Sequence, residues 1–210
     1  MRAGTESETG TGTETGMRAG KGKGPGPGIT GLSGLGMTTT IWLTGLPSSG
    51  KTTTAFALAT ALRENGVKVE CLDGDELRQK IGRELGFSRE DRMENIRRAV
   101  YISKLLNRNG VTTIISMIAP YTEMRDYARA ELESYVEVFV HCPLEECVRR
   151  DVKGLYAKAI KGEIAAFTGI SDIYEPPIHP EMTIHTHTND VELNVRHILG
   201  YLAHIATNRS

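Results

Sequence analysis

No stretch of this sequence is apolar for long enough to cross a bilayer as a helix; the longest runs, such as Val111 to Pro120, are strand-length. A membrane protein is therefore not expected. Neither sign of charge dominates. Of 210 residues, 25 are Lys or Arg and 26 are Asp or Glu, with no basic block, so no nucleic-acid partner is expected and any anionic ligand must be held by local charges. Cysteine is scarce and odd in number. Cys71, Cys142 and Cys147 make no CxxC pair, which fits a reducing cytoplasm better than a disulfide framework and reads as ordinary buried or half-buried thiols. The six histidines form no HxxxH or HExxH pair, and His185 and His187 alternate along an apparent strand, so a zinc site is not expected.

What is abundant is glycine, and it is unevenly placed. Residues 1–36 carry about half of all the glycines among Thr, Glu, Lys and Pro, with almost no bulky apolar residue. Such a segment cannot offset the entropy of ordering and is expected to be a disordered extension. It lacks the apolar core of a secretory signal and is not Arg-rich and acid-poor like a transit peptide; Met37 reads as an alternative start. Residues 37–210 then form one domain.

From Thr38 onward, short β-branched runs alternate with helical patterns. Strands are expected at Ile41–Thr44, Val67–Leu72, Val111–Met117, Tyr135–His141 and Met182–His185. Helices are expected at Lys51–Asn65, Ser88–Asn109, Tyr121–Leu132, Leu144–Arg150 and Val191–Ile205. Alternation of this kind implies an α/β fold of three layers, with a mostly parallel sheet, helices on both faces and ligands at the carboxyl ends of the strands.

Gly45-Leu46-Pro47-Ser48-Ser49-Gly50-Lys51-Thr52 matches GxxxxGK[ST] directly after a strand and directly before an Ala-rich helix. Glycine lets the backbone N–H groups converge on phosphate oxygens, and the helix N-terminus adds partial positive charge. Lys51 is expected to reach the β- and γ-phosphates of ATP, and the Thr52 hydroxyl to ligate Mg²⁺, with Thr53 next in the loop. No NKxD guanine signature follows, which favours a small-molecule kinase over a GTP switch.

On the acceptor side, Asp73-Gly74-Asp75 ends the second strand, where carboxylates can orient an attacking hydroxyl and hold a metal-bound water. Asp75 would alternatively serve as a helix N-cap, a structural role not expected of Asp73. Ser88-Arg-Glu-Asp91 is a capping box. In the helix it opens, Arg92 and Asn95 share a stripe that can edge into a cleft and grip an anion, while Arg97 and Arg98 read as solvated. The polar stretch from Arg149 through Lys153, Lys158 and Lys161 to Phe167-Thr168-Gly169-Ile170 reads as a lid loop.

These residues together resemble the adenylyl-sulfate kinase family. The resemblance runs in order from about Thr39 to the end through GLPSSGKTT, LDGDELR, LGFSREDRMENIRR, IAPY, EVFVHCPLEECVRRDVKGLYAKA and FTGISDIYEPP, which begin at Gly45, Leu72, Leu85, Ile118, Glu137 and Phe167. It implies a P-loop kinase fold and transfer of a phosphoryl group from ATP, with Mg²⁺, to adenylyl sulfate, yielding ADP and 3′-phosphoadenylyl sulfate. It implies Lys51, Asp73 and Asp75 as catalytic residues, with Thr52 and Asp73 toward the metal. Arg78, Arg92 and Asn95 are implied as a clamp on phosphosulfate and ribose, Phe87 and Phe167 as the faces of an adenine sandwich, and Lys158 as a lid contact. Ile118, Ala119, Thr168 and Gly169 complete the acceptor site, and Arg149 and Asn189 lie toward the ATP adenine. A homodimer and a functional partnership with ATP sulfurylase are implied as well. The family usually carries Phe-Ile-Ser-Pro-Tyr where this chain reads Met117-Ile118-Ala119-Pro120-Tyr121, so the serine proposed there as a phosphorylated intermediate is replaced by Ala119.

Two other readings compete. A nucleoside-monophosphate or sugar-acid kinase of the same fold is disfavoured by the DGD pair and the run from Leu85. A non-catalytic nucleotide-binding regulatory subunit is disfavoured by Lys51, Thr52 and Asp73.

Overall fold

The computed structural model describes residues 38–208; the expected disordered extension lies outside them. Five strands, β1 (Thr40–Thr44), β2 (Val69–Asp73), β3 (Thr112–Ser116), β4 (Tyr135–His141) and β5 (Met182–His185), form one sheet in the spatial order β2-β3-β1-β4-β5. Every pairing is parallel; Leu43 lies opposite Ser116 on one side and Val138 on the other. The helices are α1 (Lys51–Glu64), α2 (Gly74–Ile81), α3 (Arg89–Arg108), α4 (Thr122–Glu131), α5 (Leu144–Arg150), α6 (Leu155–Ile160) and α7 (Val191–Thr207).

Alternation along β1, buried throughout, divides the core between two faces. Ile41 and Leu43 pack with Leu58 and Leu62 of α1 and Ile198 and Leu202 of α7. Trp42 points the other way, among Ile96 and Val100 of α3 and Met124 and Ala128 of α4. Cutting Leu58 or Met124 to Ala should each cost about 2–5 kcal/mol. Beyond the sheet, Cys142, Cys147, Tyr156, Ala159 and Phe167 form a smaller apolar cluster. Both of these cysteines are therefore buried, and Cys71 is half-buried.

The expected elements are present, with three differences. The strand expected from Val67 begins at Val69, because α1 ends in a turn through Gly66 (φ 78°) in which the Val67 N–H still donates to the Leu62 carbonyl at 3.0 Å. Helix α2 was not expected. It starts straight off β2 because the Asp73 carboxylate accepts from the N–H groups of Asp75 (2.9 Å) and Glu76 (3.4 Å), so Asp73, not Asp75, is the N-cap. Helix α6 interrupts the expected lid loop, after Gly154 in a left-handed conformation (φ 65°) and with the Asp151 carboxylate accepting from the N–H groups of Tyr156 and Ala157.

Candidate active site

The phosphate loop joins β1 to α1 in a path only glycine permits. Gly45 has φ 152°, and a Cβ there would stand 2.5 Å from the Val140 carbonyl oxygen; Gly50, with φ 98°, precedes the first turn of α1. Ser49 is buried and its carbonyl accepts from the Thr186 hydroxyl at 2.6 Å, while the Pro47 carbonyl accepts from the Tyr156 hydroxyl at 3.1 Å. Lys51 does not face solvent. It is only 9% exposed, and its ammonium donates to the carbonyls of Leu46 (2.7 Å) and Gly45 (3.0 Å). Burial outweighs the nearby carboxylates of Asp75 and Asp73 and lowers its pKa to about 8.

Asp73 does two things at the end of β2. Besides capping α2, its Oδ2 accepts from the hydroxyls of Ser116 (2.8 Å) and Thr52 (3.0 Å). Half-burial alone would raise its pKa, yet these hydroxyl bonds and the two backbone N–H bonds hold it below the usual carboxylate value. Thr52, Ser116 and Asp73 thus bring three hard oxygen donors together, the donor set that suits Mg²⁺. Gly74 follows because a Cβ there would meet the Met117 side chain at 2.8 Å.

From this corner a cavity of about 760 Å³ extends toward α3 and the lid. Of the residues singled out from the sequence, Pro47, Ser48, Gly50, Lys51, Thr52, Thr53, Asp73, Asp75, Arg78, Phe87, Arg92, Asn95, Ile118, Ala119, Phe167 and Thr168 line it. At its far end the guanidinium groups of Arg78 and Arg92 lie 4.7 and 5.8 Å from the centre of the Phe87 ring. Burial, then the like charge of Arg92, depresses the Arg78 pKa, so this corner favours an anion. Arg92 is also a fastening: it donates to Phe87 O (2.9 Å), Thr168 Oγ1 (3.0 Å) and Ala166 O (2.6 Å) and pairs with Asp172 at 3.3 Å. Asn95 is 2% exposed and its Oδ1 has no hydrogen-bond partner in the protein, an acceptor held ready for a donor in the cavity.

The two phenylalanines differ. Phe87 is 59% exposed, whereas Phe167 is 9% exposed and set edge-on to Tyr156 with ring centres 5.0 Å apart. Ala119 is buried with φ 44°, a left-handed conformation held by the Arg125 guanidinium on its carbonyl at 2.7 Å. Arg125 is itself paired with buried Glu137 at 3.1 Å.

Gly45, Leu46 and Ser49 shape the loop from behind the cavity, and Gly169 packs against Leu46. Lys158 is exposed and off the cavity lining, as is Arg149, held by Glu146 at 2.7 Å, while half-buried Asn189, bonded to Asn194 at 3.2 Å, is off the lining too. Two lining residues with polar side chains were missing from the expected site. Ser116 ends β3 as Asp73 ends β2, and its place in the expected strand was the available signal; Lys153, read only as a lid lysine, pairs with Asp75 across the cavity mouth.

A sequence profile described as adenylylsulphate kinase matches residues 37–185, a span that takes in the phosphate loop, Asp73, α3 and the lid. The chain belongs to the adenylylsulphate kinase family. A protein named probable adenylyl-sulfate kinase from Pseudomonas aeruginosa is 49% identical over 164 residues, covering 78% of this chain and 77% of its own. The adenylyl-sulfate kinase of Chloroflexus aurantiacus is 51% identical over 162 residues, covering 77% and 87%. Among solved structures, the Mycobacterium tuberculosis APS kinase in complex with AMPPNP and APS aligns with a TM-score of 0.76 at 37% identity, over 79% of this chain and 98% of that one. Membership of this family makes the chain a P-loop kinase, in keeping with its sheet order and phosphate loop.

Proposed function

We propose that the chain transfers the γ-phosphoryl group of ATP to the 3′-hydroxyl of adenylyl sulfate by direct in-line displacement, giving ADP and 3′-phosphoadenylyl sulfate. The observation that carries this reading is the position of Asp73. Its Oδ2 lies 3.0 Å from the phosphate-loop hydroxyl of Thr52, at one end of a cavity whose other end presents Phe87, Arg78, Arg92 and Asn95. A donor's phosphates and an adenine nucleotide acceptor both find complementary groups along that line.

In this reading the loop N–H groups cradle the phosphates, and Lys51 exchanges its carbonyl partners for phosphate oxygens. Thr52 and Asp73, with Ser116 adjacent, would hold Mg²⁺, which would supply charge neutralisation on the phosphoryl oxygens. Asp73, kept ionised by its four donors, is a weak proton acceptor at neutral pH. Its part is to orient the hydroxyl, which suffices for a loose transition state in which the proton leaves late. Arg78 and Arg92 supply charge for the phosphosulfate, and the exposed Phe87 face offers a stacking surface for the base.

The test is a coupled ADP-release assay with adenylyl sulfate, AMP, CMP and gluconate offered separately. Preference for AMP, CMP or gluconate would replace this acceptor. Ala119 bears no hydroxyl, so incubation with γ-labelled ATP and Mg²⁺ should leave no label on the denatured protein; a phosphoenzyme that discharged to acceptor at the turnover rate would overturn direct transfer. Residues 37–210 as the catalytic unit, a cytoplasmic location, a homodimer and a functional partnership with ATP sulfurylase complete the proposal, with sedimentation and pull-down as their tests.

A further inference from the structure

His141, His185 and His187 come together although no local spacing announces them. His141 ends β4, His185 ends β5, and the two are direct partners in the parallel register. His187 follows two residues later, in the turn that leaves β5. The three rings form a near-equilateral triangle with centres 5.1, 5.6 and 5.8 Å apart, each pair inclined by 67–77°. The Nδ1 atoms of His141 and His185 are 3.2 Å apart, and one ring nitrogen from each histidine lies within 4.8 Å of the others.

Three imidazoles on one tetrahedral ion, with metal–nitrogen bonds of about 2.0–2.1 Å, place their ligand nitrogens roughly 3.4 Å apart and their ring centres about 5 Å apart. The geometry points to a binding site for a divalent ion of the zinc class, held by His141, His185 and His187 with a fourth position for water. Imidazole donors without a carboxylate select zinc, cobalt, nickel or copper rather than Mg²⁺. Thr186, between His185 and His187, donates to the Ser49 carbonyl, which links this turn to the phosphate loop. The sequence reading expected no zinc site because it looked for ligands along one segment. The third ligand is 44 residues away and arrives by strand pairing.

The experiment uses the full chain, stripped with chelator and free of nucleotide, titrated with Zn²⁺ by calorimetry and with Co²⁺ by visible absorption. One ion per chain is expected, with the intense d–d bands of tetrahedral cobalt, undisplaced by excess Mg²⁺. His141→Ala and His187→Ala, checked for fold by circular dichroism, should each weaken Zn²⁺ binding by at least about 10–100-fold, the loss that even outer partners of a metal ligand produce. No Zn²⁺ binding by the unaltered protein, or binding unchanged in both variants, would overturn the site. These readouts are independent of phosphoryl transfer, so their failure leaves the kinase reading untouched.

Discussion

The two ends of the cavity are held together by different means. At the phosphate end, Gly45, Gly50 and Lys51 belong to one short segment, within which the Lys51 ammonium donates to the Gly45 and Leu46 carbonyls. At the acceptor end, Arg92 reaches Thr168, 76 residues away, and Lys153 reaches Asp75, 78 residues away. A segment that folds on itself can be altered in chemistry while its fold survives. A wall assembled from distant segments loses shape and function together.

The largest expected effect breaks the chemistry alone. Lys51→Met should lower turnover by at least about 10²–10³-fold, the loss typical for removing one preorganised transition-state donor, while far-UV circular dichroism stays unchanged. In the unaltered protein, kcat/KM for ATP should fall as pH rises through about 8, where Lys51 loses its proton. The unfolded chain keeps that proton up to its ordinary value of 10.5, so this group makes stability rise with pH between about 8 and 10.5. Thermal midpoints across that window should show the rise, and Lys51→Met should flatten it.

Next come the two rings, which sharpen the contrast within the acceptor wall. Phe87→Ala should lower kcat/KM for adenylyl sulfate by about 10–100-fold, the worth of roughly 1–3 kcal/mol of base stacking, with stability changed by less than about 0.5 kcal/mol because the ring is exposed. Phe167→Ala should weaken acceptor use as well and cost about 3–5 kcal/mol of stability, since its ring is buried against Tyr156. Equal chemical denaturation midpoints for the two variants would erase the distinction.

Ser116→Ala probes the junction between the two ends. Loss of one hydroxyl bond to Asp73, worth about 1 kcal/mol, should lower turnover roughly fivefold, and a carboxylate NMR titration should show the Asp73 pKa moving up toward 3.8. The smallest effect is expected from removing residues 1–36. Turnover should hold, and a fall in thermal midpoint of more than about 5 °C would show that the extension is packed on the domain.

The legibility of the sequence follows the same division. Strand β1, the phosphate loop and α1 were readable because glycine spacing, a β-branched run and an Ala-rich helix lie in one continuous stretch. The capping of α3 was readable for the same reason, with Ser88 Oγ accepting from the Asp91 N–H at 3.1 Å. Asp73 was recognised as a site residue, but its capping of α2 was not, because a carboxylate that caps one helix and binds two hydroxyls shows only one role at a time in sequence. The burial of Lys51 depends on the surrounding fold, as the Asp75–Lys153 pair depends on the return of the lid. The short helix α6 was hidden by its two framing glycines, Gly154 and Gly162, which look like loop residues.

Arg92 ties α3 to the segment after α6, so the wall that would meet an acceptor is also a strap across the cavity. Releasing the strap dismantles the wall. Any movement of the segment after α6 away from α3 must therefore break the Arg92 bonds to Ala166 and Thr168 and its pair with Asp172 together.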